Sequence, residues 1–366
     1  MKIKAAVTRE KGTFKFEDVE LAAPKAGEVL VKLVASGICH TDTAVMNQYL
    51  PVTFPMVLGH EGVGIIETVG EGVSGLAKGD KVILTFPSCG HCEHCEEGHP
   101  YSCDDNFNMF FGGNYRDGTK RLTGADGADI GVLFGQSSFA TYAVANQDNA
   151  IKVDVTEEQL KALCSLGCGV QTGAGAVLNR MKPRPGTSIA VYGCGAVGLA
   201  GIMAAKIAGC STIIAIHGSK GKEEALEFGA THTINGRKED VKARILEITG
   251  GKGSAYALES SGQPALAVTM LDCMAKEGLA VTVSVTADAE VPIRLEPQIM
   301  NPSVTFAGCV EGHSNPKVFI PELVKFFKEG RLPVDKMNKY YKFDEIEKAF
   351  EESHTGGVLK PILLFS

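Results

Sequence analysis

The chain has 366 residues, which is too long for one ordinary core and fits about two domains. Hydrophobic residues make up 44% and charged residues 22%, the balance of a globular protein. The 36 Lys and Arg against 43 Asp and Glu give a net charge of −7, and there is no basic run or basic–aromatic stripe, which argues against nucleic acid as the main partner.

No apolar run approaches the ~20 residues of a transmembrane helix. The opening Met1-Lys2-Ile3-Lys4-Ala5-Ala6-Val7 alternates like a strand and lacks the apolar core of a signal peptide. The expectation is a cytoplasmic protein without a membrane partner. The 11 cysteines are odd in number, which argues against a disulfide scaffold.

In chain order, 28–34 and 62–69 read as strands broken by turns, and 72–81 is a loop leading into a strand at 82–84. Residues 112–129, rich in Gly and Asp, read as an exposed loop. The first 150 residues are therefore β-rich. A helix is predicted at 157–166. Strands at 188–192, 212–216, 232–234, 254–258 and 279–285 then alternate with helices at 198–208, 222–228, 241–249 and 264–274. That alternation predicts a parallel sheet covered on both faces. Helices at 321–329 and 343–353 and a strand at 360–365 close the chain.

Three patterns carry chemistry. Cys89-x2-Cys92-x2-Cys95-x7-Cys103 offers four thiolates in one loop, enough to close a tetrahedral shell around zinc with no place left for substrate. His91, His94 and His99 are additional possible ligands, and a redox-active or iron–sulfur set is the alternative reading. A catalytic zinc needs three protein ligands and an open position. Cys39, His60 and Cys168 could supply them, but they are scattered along the chain, and spacing alone does not select them.

The third pattern is Gly193-Cys194-Gly195-Ala196-Val197-Gly198, a G-x-G-x-x-G between a predicted strand and a predicted helix. Gly193 allows the tight turn, Gly195 lets backbone approach a pyrophosphate, and Gly198 lets helix pack on strand. About 20 residues on, an acid normally accepts from the ribose 2′-hydroxyl of NAD and repels a 2′-phosphate. Here the second strand ends in His217-Gly218-Ser219-Lys220, with no acid. Ser219 could donate to a phosphate and Lys220 could neutralise it, with His217 assisting. The reading favours NADP; the alternative is NAD with Lys220 a solvated charge.

Together these features resemble the zinc-containing medium-chain alcohol dehydrogenases over nearly the whole chain. The resemblance rests on Gly37-Ile38-Cys39-His40-Thr41-Asp42, Gly59-His60-Glu61-Gly62-Val63-Gly64, the four-cysteine lobe, Gly167-Cys168-Gly169 with Thr172-Gly173, and the glycine turn. It implies an α/β chain with two domains. Residues 1–170 and 309–366 would form a GroES-like β-rich catalytic domain with a structural zinc lobe at about 86–105. Residues 171–308 would form a Rossmann doubly wound parallel sheet.

It also implies two zinc ions per chain: a catalytic one on Cys39, His60 and Cys168, and a structural one on Cys89, Cys92, Cys95 and Cys103. Thr41 matches the hydroxyl that takes the substrate proton, and Asp42 and Glu61 match acids near the catalytic metal. His40 matches a pyrophosphate contact, and Lys360 a basic phosphate contact. Thr172 and Val197 match residues lining the nicotinamide site. The family's common relay histidine is here Ala44.

The implied activity is hydride transfer between an alcohol or aldehyde and NADP(H). The run Phe107-Asn108-Met109-Phe110-Phe111-Gly112-Gly113 with Arg116-Asp117-Gly118, together with Ala44, resembles aryl (benzyl) alcohol dehydrogenases. Phe107, Phe110 and Phe111 are candidates for an aromatic substrate pocket, or pack against the zinc lobe. The long segment 112–135 resembles that of dimeric members, so a homodimer is expected. The alternatives are an NAD-linked general or long-chain alcohol dehydrogenase, a polyol or sugar dehydrogenase, and a non-catalytic NADP-binding quinone-reductase-like member.

Overall fold

The computed structural model describes residues 1–218, 220–286 and 289–365. The chain forms two compact units. The first comprises Met1–Cys168, Asn315–Lys325 and Val334–Ser366, and the second Gly169–Ser314 and Phe326–Pro333. The first junction falls two residues before the expected one at 170. The second falls at 314 instead of 308, and 326–333 groups with the second unit.

The first unit is built on two sheets. Lys2–Thr8, Lys15–Leu21, Leu122–Thr123, Asp129–Val132 and Met56–Val57 close a small barrel. The other sheet runs Ala150–Lys152, Lys81–Leu84, Glu61–Val69, Glu28–Gly37, Lys360–Leu364 and Asn338–Lys342, with Tyr142–Asn146 also pairing on Glu28–Gly37. Alternate residues of these strands point to opposite faces, and those of both inner faces are apolar: Val29, Val31 and Leu33 pack with Ile66, Val82 and Leu84.

The segment 112–129, expected to be an exposed loop, is partly buried. Arg121 is 3% exposed and Tyr115 6% exposed. Arg121 Nε donates to Glu28 Oε2 at 3.1 Å and Nη2 to Asp117 at 3.0 Å, while its guanidinium lies over the Tyr115 ring. A buried guanidinium needs such partners. The composition of the segment signalled a turn, but these long-range pairs draw it into the barrel.

Predicted helix boundaries move, most at 157–166 and 321–329. Thr156 caps a helix at Glu157–Ala162 through a reciprocal box with Gln159. That helix stops early and passes into a tight turn, Cys164–Gly167, which leads into Cys168. The later helix spans Pro316–Lys328 with Pro321 inside it, so the proline does not mark its start.

The second unit is a six-stranded parallel sheet in the order His232–Asn235, Thr212–His217, Ser188–Tyr192, Ser254–Glu259, Met274–Thr282, Thr305–Gly308. Helices Ala196–Ile207, Lys222–Phe228, Val241–Ile248 and Pro264–Asp272 occupy the crossovers. Near-continuous burial of Ile189–Tyr192 and Ile213–Ile216 explains why these strands read as apolar runs without alternation. No helix among the described residues is long and apolar enough to cross a membrane.

Candidate active site

Strand register brings the scattered ligands together. In the antiparallel pair Glu28–Gly37 with Glu61–Val69, Gly37 faces Glu61. Cys39 follows one strand end and His60 precedes the other, so the two are neighbours. The strand Lys81–Leu84 flanks Glu61–Val69 on its other side. Thr85, just beyond it, donates from Oγ1 to Gly167 O at 2.8 Å and fixes the turn before Cys168. A Cβ at Gly167 would lie 2.2 Å from Leu84 O, so only glycine permits this approach. The donor atoms of Cys39, His60 and Cys168 lie within 4.8 Å of one another.

Asp42 organises this cluster. It is fully buried, and its Oδ2 accepts from Cys39 N while its Oδ1 accepts from Gly59 N, each at 3.0 Å. Its Oδ1 also lies 3.0 Å from His60 Nδ1. The carboxylate thus places the imidazole proton on Nδ1 and leaves Nε2 as a lone-pair donor. His60 Nε2 is buried and has no hydrogen-bond partner among the described residues. An unpartnered imidazole nitrogen beside two thiols fits a zinc ion with one position open.

The electrostatics agree. A hydrogen bond from Cys168 holds the Cys39 thiol well below its ordinary pKa against the opposing effect of burial, and His60 adds to this. Burial disfavours a charged His60, but the charge and hydrogen bond of Asp42, then Cys39, outweigh it and hold its pKa well above the ordinary value. The cluster favours the thiolate that metal binding needs, and binding would release the imidazole proton.

Lys360, expected to contact a cofactor phosphate, sits on the buried carboxylate of Glu61. Its ammonium is buried, pairs with Glu61, and donates to Ile38 O at 3.0 Å. Burial pushes the Glu61 carboxyl up while Lys360 pulls it down. The reason is topological: Lys360–Leu364 pairs antiparallel with the end of Glu28–Gly37, Ile362 facing Gly37, and so brings Lys360 to the buried carboxylate. Thr41 is half-buried in the helix His40–Met46, its Oγ1 3.9 Å from Cys39 Sγ. His40 is exposed in the first turn of that helix, and Ala44 follows one turn later.

The four thiols of Cys89, Cys92, Cys95 and Cys103 also converge within 4.8 Å. Backbone groups support them: Cys89 N donates to Cys103 Sγ at 3.2 Å and Cys92 N to Cys89 Sγ at 3.3 Å. Backbone donation from Asp104 and Cys95 lowers the Cys92 thiol to about 6. The nearby histidines face elsewhere, His91 toward Cys89 O, His94 toward Asp104 and His99 toward Glu97. Among the described residues these four cysteines form the set, which fits a closed zinc shell.

The phenylalanines divide. All three lie on the helix Asn106–Phe111. Phe107 is 60% exposed, whereas Phe110 is 6% exposed and packed in the core. Phe110 stacks on Phe134 at 4.5 Å, and Phe111 meets the Phe134 ring edge-on at 5.5 Å. Phe134 in turn stacks on His60 at 4.6 Å. Phe110 is therefore a core residue and not an open pocket wall, because its ring is held between Phe86 and Phe134.

Sequence reasoning missed Phe134. It also missed Gln136, which is 1% exposed. Its Nε2 donates to His60 O at 3.0 Å and Thr85 O at 3.2 Å, and its Oε1 accepts from Gly62 N at 3.2 Å. No motif marks either residue.

In the second unit the glycine turn has the expected shape. Gly193 has φ 99°, and Gly195 precedes the helix Ala196–Ile207. A Cβ on Gly198 would lie 1.9 Å from Gly193 O, whereas one on Gly195 would meet nothing within 4 Å. The open face over Gly195, at a helix N-terminus, fits a pyrophosphate. Val197 O lies 1.9 Å from a Cβ built on Gly173, which brings the Thr172 and Val197 helices together. His217 is 8% exposed with Nδ1 2.9 Å from Gly218 O, so its ring is turned to the backbone. Lys220 is exposed, and Ser219 lies outside the described residues.

Residues 25–155 match the alcohol dehydrogenase GroES-like domain, and residues 196–329 match the zinc-binding dehydrogenase domain. Geraniol dehydrogenase of Castellaniella defragrans is 40% identical over 99% of this chain and 97% of its own length. The chain belongs to the zinc-containing medium-chain alcohol dehydrogenase family. Benzyl alcohol dehydrogenase from Acinetobacter calcoaceticus superposes with a TM-score of 0.95 at 40% identity, covering 100% of both chains. An alcohol dehydrogenase zinc-binding domain protein from Burkholderia ambifaria gives a TM-score of 0.96 at 44% identity, covering 100% of this chain and 99% of that one. Membership implies a zinc-binding oxidoreductase that uses a nicotinamide cofactor and acts on small alcohols or aldehydes.

Proposed function

We propose that this chain is a two-zinc, NADP-linked dehydrogenase interconverting primary alcohols and aldehydes, with benzylic and related alcohols as its substrate class. The observation that carries the reading is the convergence of Cys39, His60 and Cys168 around an unpartnered His60 Nε2. Geraniol and benzyl alcohol, which name two relatives, both carry the reacting carbon beside an unsaturated carbon. That position stabilises charge developing at the carbon during hydride loss.

When bound, zinc supplies Lewis acidity toward the alcohol oxygen, and the nicotinamide supplies the hydride acceptor. Cys39, His60 and Cys168 would hold the metal. Asp42 fixes the His60 tautomer. Thr41 takes the alcohol proton through its hydroxyl. Ala44 has no group that could relay that proton. The glycine turn from Gly193 to Gly198 would hold the dinucleotide, with Thr172 and Val197 contributing to its site. Cys89, Cys92, Cys95 and Cys103 would hold the second zinc as a structural clamp. The lack of an acid after His217 favours NADP, and the enzyme is expected to be a cytoplasmic homodimer.

Steady-state kinetics with benzyl alcohol, cinnamyl alcohol, geraniol and hexanol, each with NAD and NADP, test the reading. Higher kcat/KM with NADP and with the unsaturated alcohols is expected. Equal or better efficiency with NAD refutes the cofactor assignment, and no oxidation of the aromatic alcohols refutes the substrate assignment.

A further inference from the structure

The strand Thr212–His217 runs parallel to His232–Asn235, with His217 beside Asn235. Gly236 N donates to His217 O at 2.8 Å, so the next residue, Arg237, lies against the end of the second strand. Its backbone is fixed there, because Arg237 N donates to Asn235 Oδ1 at 3.0 Å. A Cβ built on Gly218 would lie 3.6 Å from Arg237 Nε and would meet no other heavy atom within 4 Å. The guanidinium thus passes over a residue with no side chain, and the space above that residue is open.

Arg237 is exposed, and its guanidinium has no ion-pair or hydrogen-bond partner among the described residues. The acids nearest to it along the chain are engaged elsewhere. Glu239 Oε1 accepts from Asn235 N at 2.7 Å, and its Oε2 pairs with Arg244 at 3.3 Å. Asp240 accepts from Ala243 N at the start of the next helix. Two other arginines of this unit are paired, Arg244 with Glu239 and Glu247 and Arg294 with Asp272. An acid at the end of the strand, where NAD-binding sheets of this type carry one, would lie within reach of Arg237 and neutralise it; here that place holds His217 and Gly218.

We propose that Arg237 is the residue that recognises the 2′-phosphate of NADP and sets the cofactor preference. The proposal rests on the NADP reading above and adds to it a residue from outside the His217–Lys220 segment. A guanidinium fork matches a phosphate bidentately, whereas Lys220 offers only a point charge.

The test is calorimetric binding of adenosine 2′,5′-bisphosphate and of 5′-AMP to the full-length zinc-loaded protein. Wild type is compared with Arg237→Gln, Arg237→Lys and the neighbouring Lys238→Gln, with thermal melts to verify folding. Arg237→Gln should weaken the bisphosphate by about tenfold to a hundredfold and leave 5′-AMP unchanged. Arg237→Lys should retain part of the difference, and Lys238→Gln should stay within about twofold of wild type. In turnover, Arg237→Gln should raise KM for NADP with kcat unchanged. If wild type prefers the bisphosphate and Arg237→Gln keeps that preference, the Arg237 assignment is overturned and the NADP reading stands. If wild type itself shows no preference, both fall.

Discussion

Asp42 holds more of the metal site than any other residue that is not itself a ligand, and Asp42→Asn isolates that role. The substitution keeps the size of the side chain. The carboxylate now receives Cys39 N, Gly59 N and His60 Nδ1, each at 3.0 Å, on two oxygens. Asn retains one acceptor oxygen and presents an NH2 group to at least one of these donors. One charge-assisted bond is lost, worth roughly 1.5–3 kcal/mol, and His60 loses the group that fixes its tautomer. Loss of such a partner typically weakens metal binding by roughly 10–100-fold, which matches that energy. Chelator competition read by zinc analysis should show Asp42→Asn releasing its weaker zinc at correspondingly lower chelator concentration, while the four-cysteine zinc is retained. Chelation curves that superpose on wild type, with kcat/KM within about twofold, would refute the reasoning.

Other consequences follow from separate parts of the molecule. Gly198→Ala must shift the turn, since its Cβ would lie 1.9 Å from Gly193 O, and should cost on the order of 1–3 kcal/mol in denaturant unfolding. Gly195→Ala meets no neighbour within 4 Å and should melt like wild type yet bind dinucleotide weakly in a fluorescence titration. Gln136→Leu leaves His60 O, Thr85 O and Gly62 N without this partner, and at roughly 1–3 kcal/mol for each buried group left unpaired should lower Tm by several degrees. For Asp117, burial raises the carboxyl pKa but hydrogen bonds from Lys25, Thr119 and Arg121 hold it well below the ordinary value. A depressed pKa gives stability that is complete above the unfolded value of ~4 and is lost as pH falls through the folded one. Acid unfolding of Asp117→Asn should therefore be less steep below pH ~4 than that of wild type, and parallel curves would contradict the assignment.

The parts of the site legible in the sequence were those built within one short segment. The four cysteines lie inside fifteen residues, and the glycine turn lies between its own strand and helix. Cys39, His60 and Cys168 were different. Only the register of three strands makes them neighbours, so spacing could not select them and the family resemblance was needed. The Lys360–Glu61 pair was not legible either, because it is set by the antiparallel pairing of the last strand with Glu28–Gly37. Phe134, Gln136 and Arg237 belong to no motif. Each acts through a contact to a residue distant in sequence, and a single Phe, Gln or Arg in a loop is most often a packing or surface residue. Residues 112–129 misled for the same reason, since Gly and Asp mark turns but do not reveal the partners that bury Arg121 and Tyr115.

The central claim is that Cys39, His60 and Cys168 hold a zinc on which alcohol oxidation depends. The most direct measurement is the rate of NADP reduction with benzyl alcohol in the purified protein, in protein stripped by a mild chelator, and in that protein after zinc is returned. Activity, its loss while the four-cysteine zinc remains bound, and its recovery with zinc are expected. Full activity in protein that retains only the four-cysteine zinc would contradict that claim.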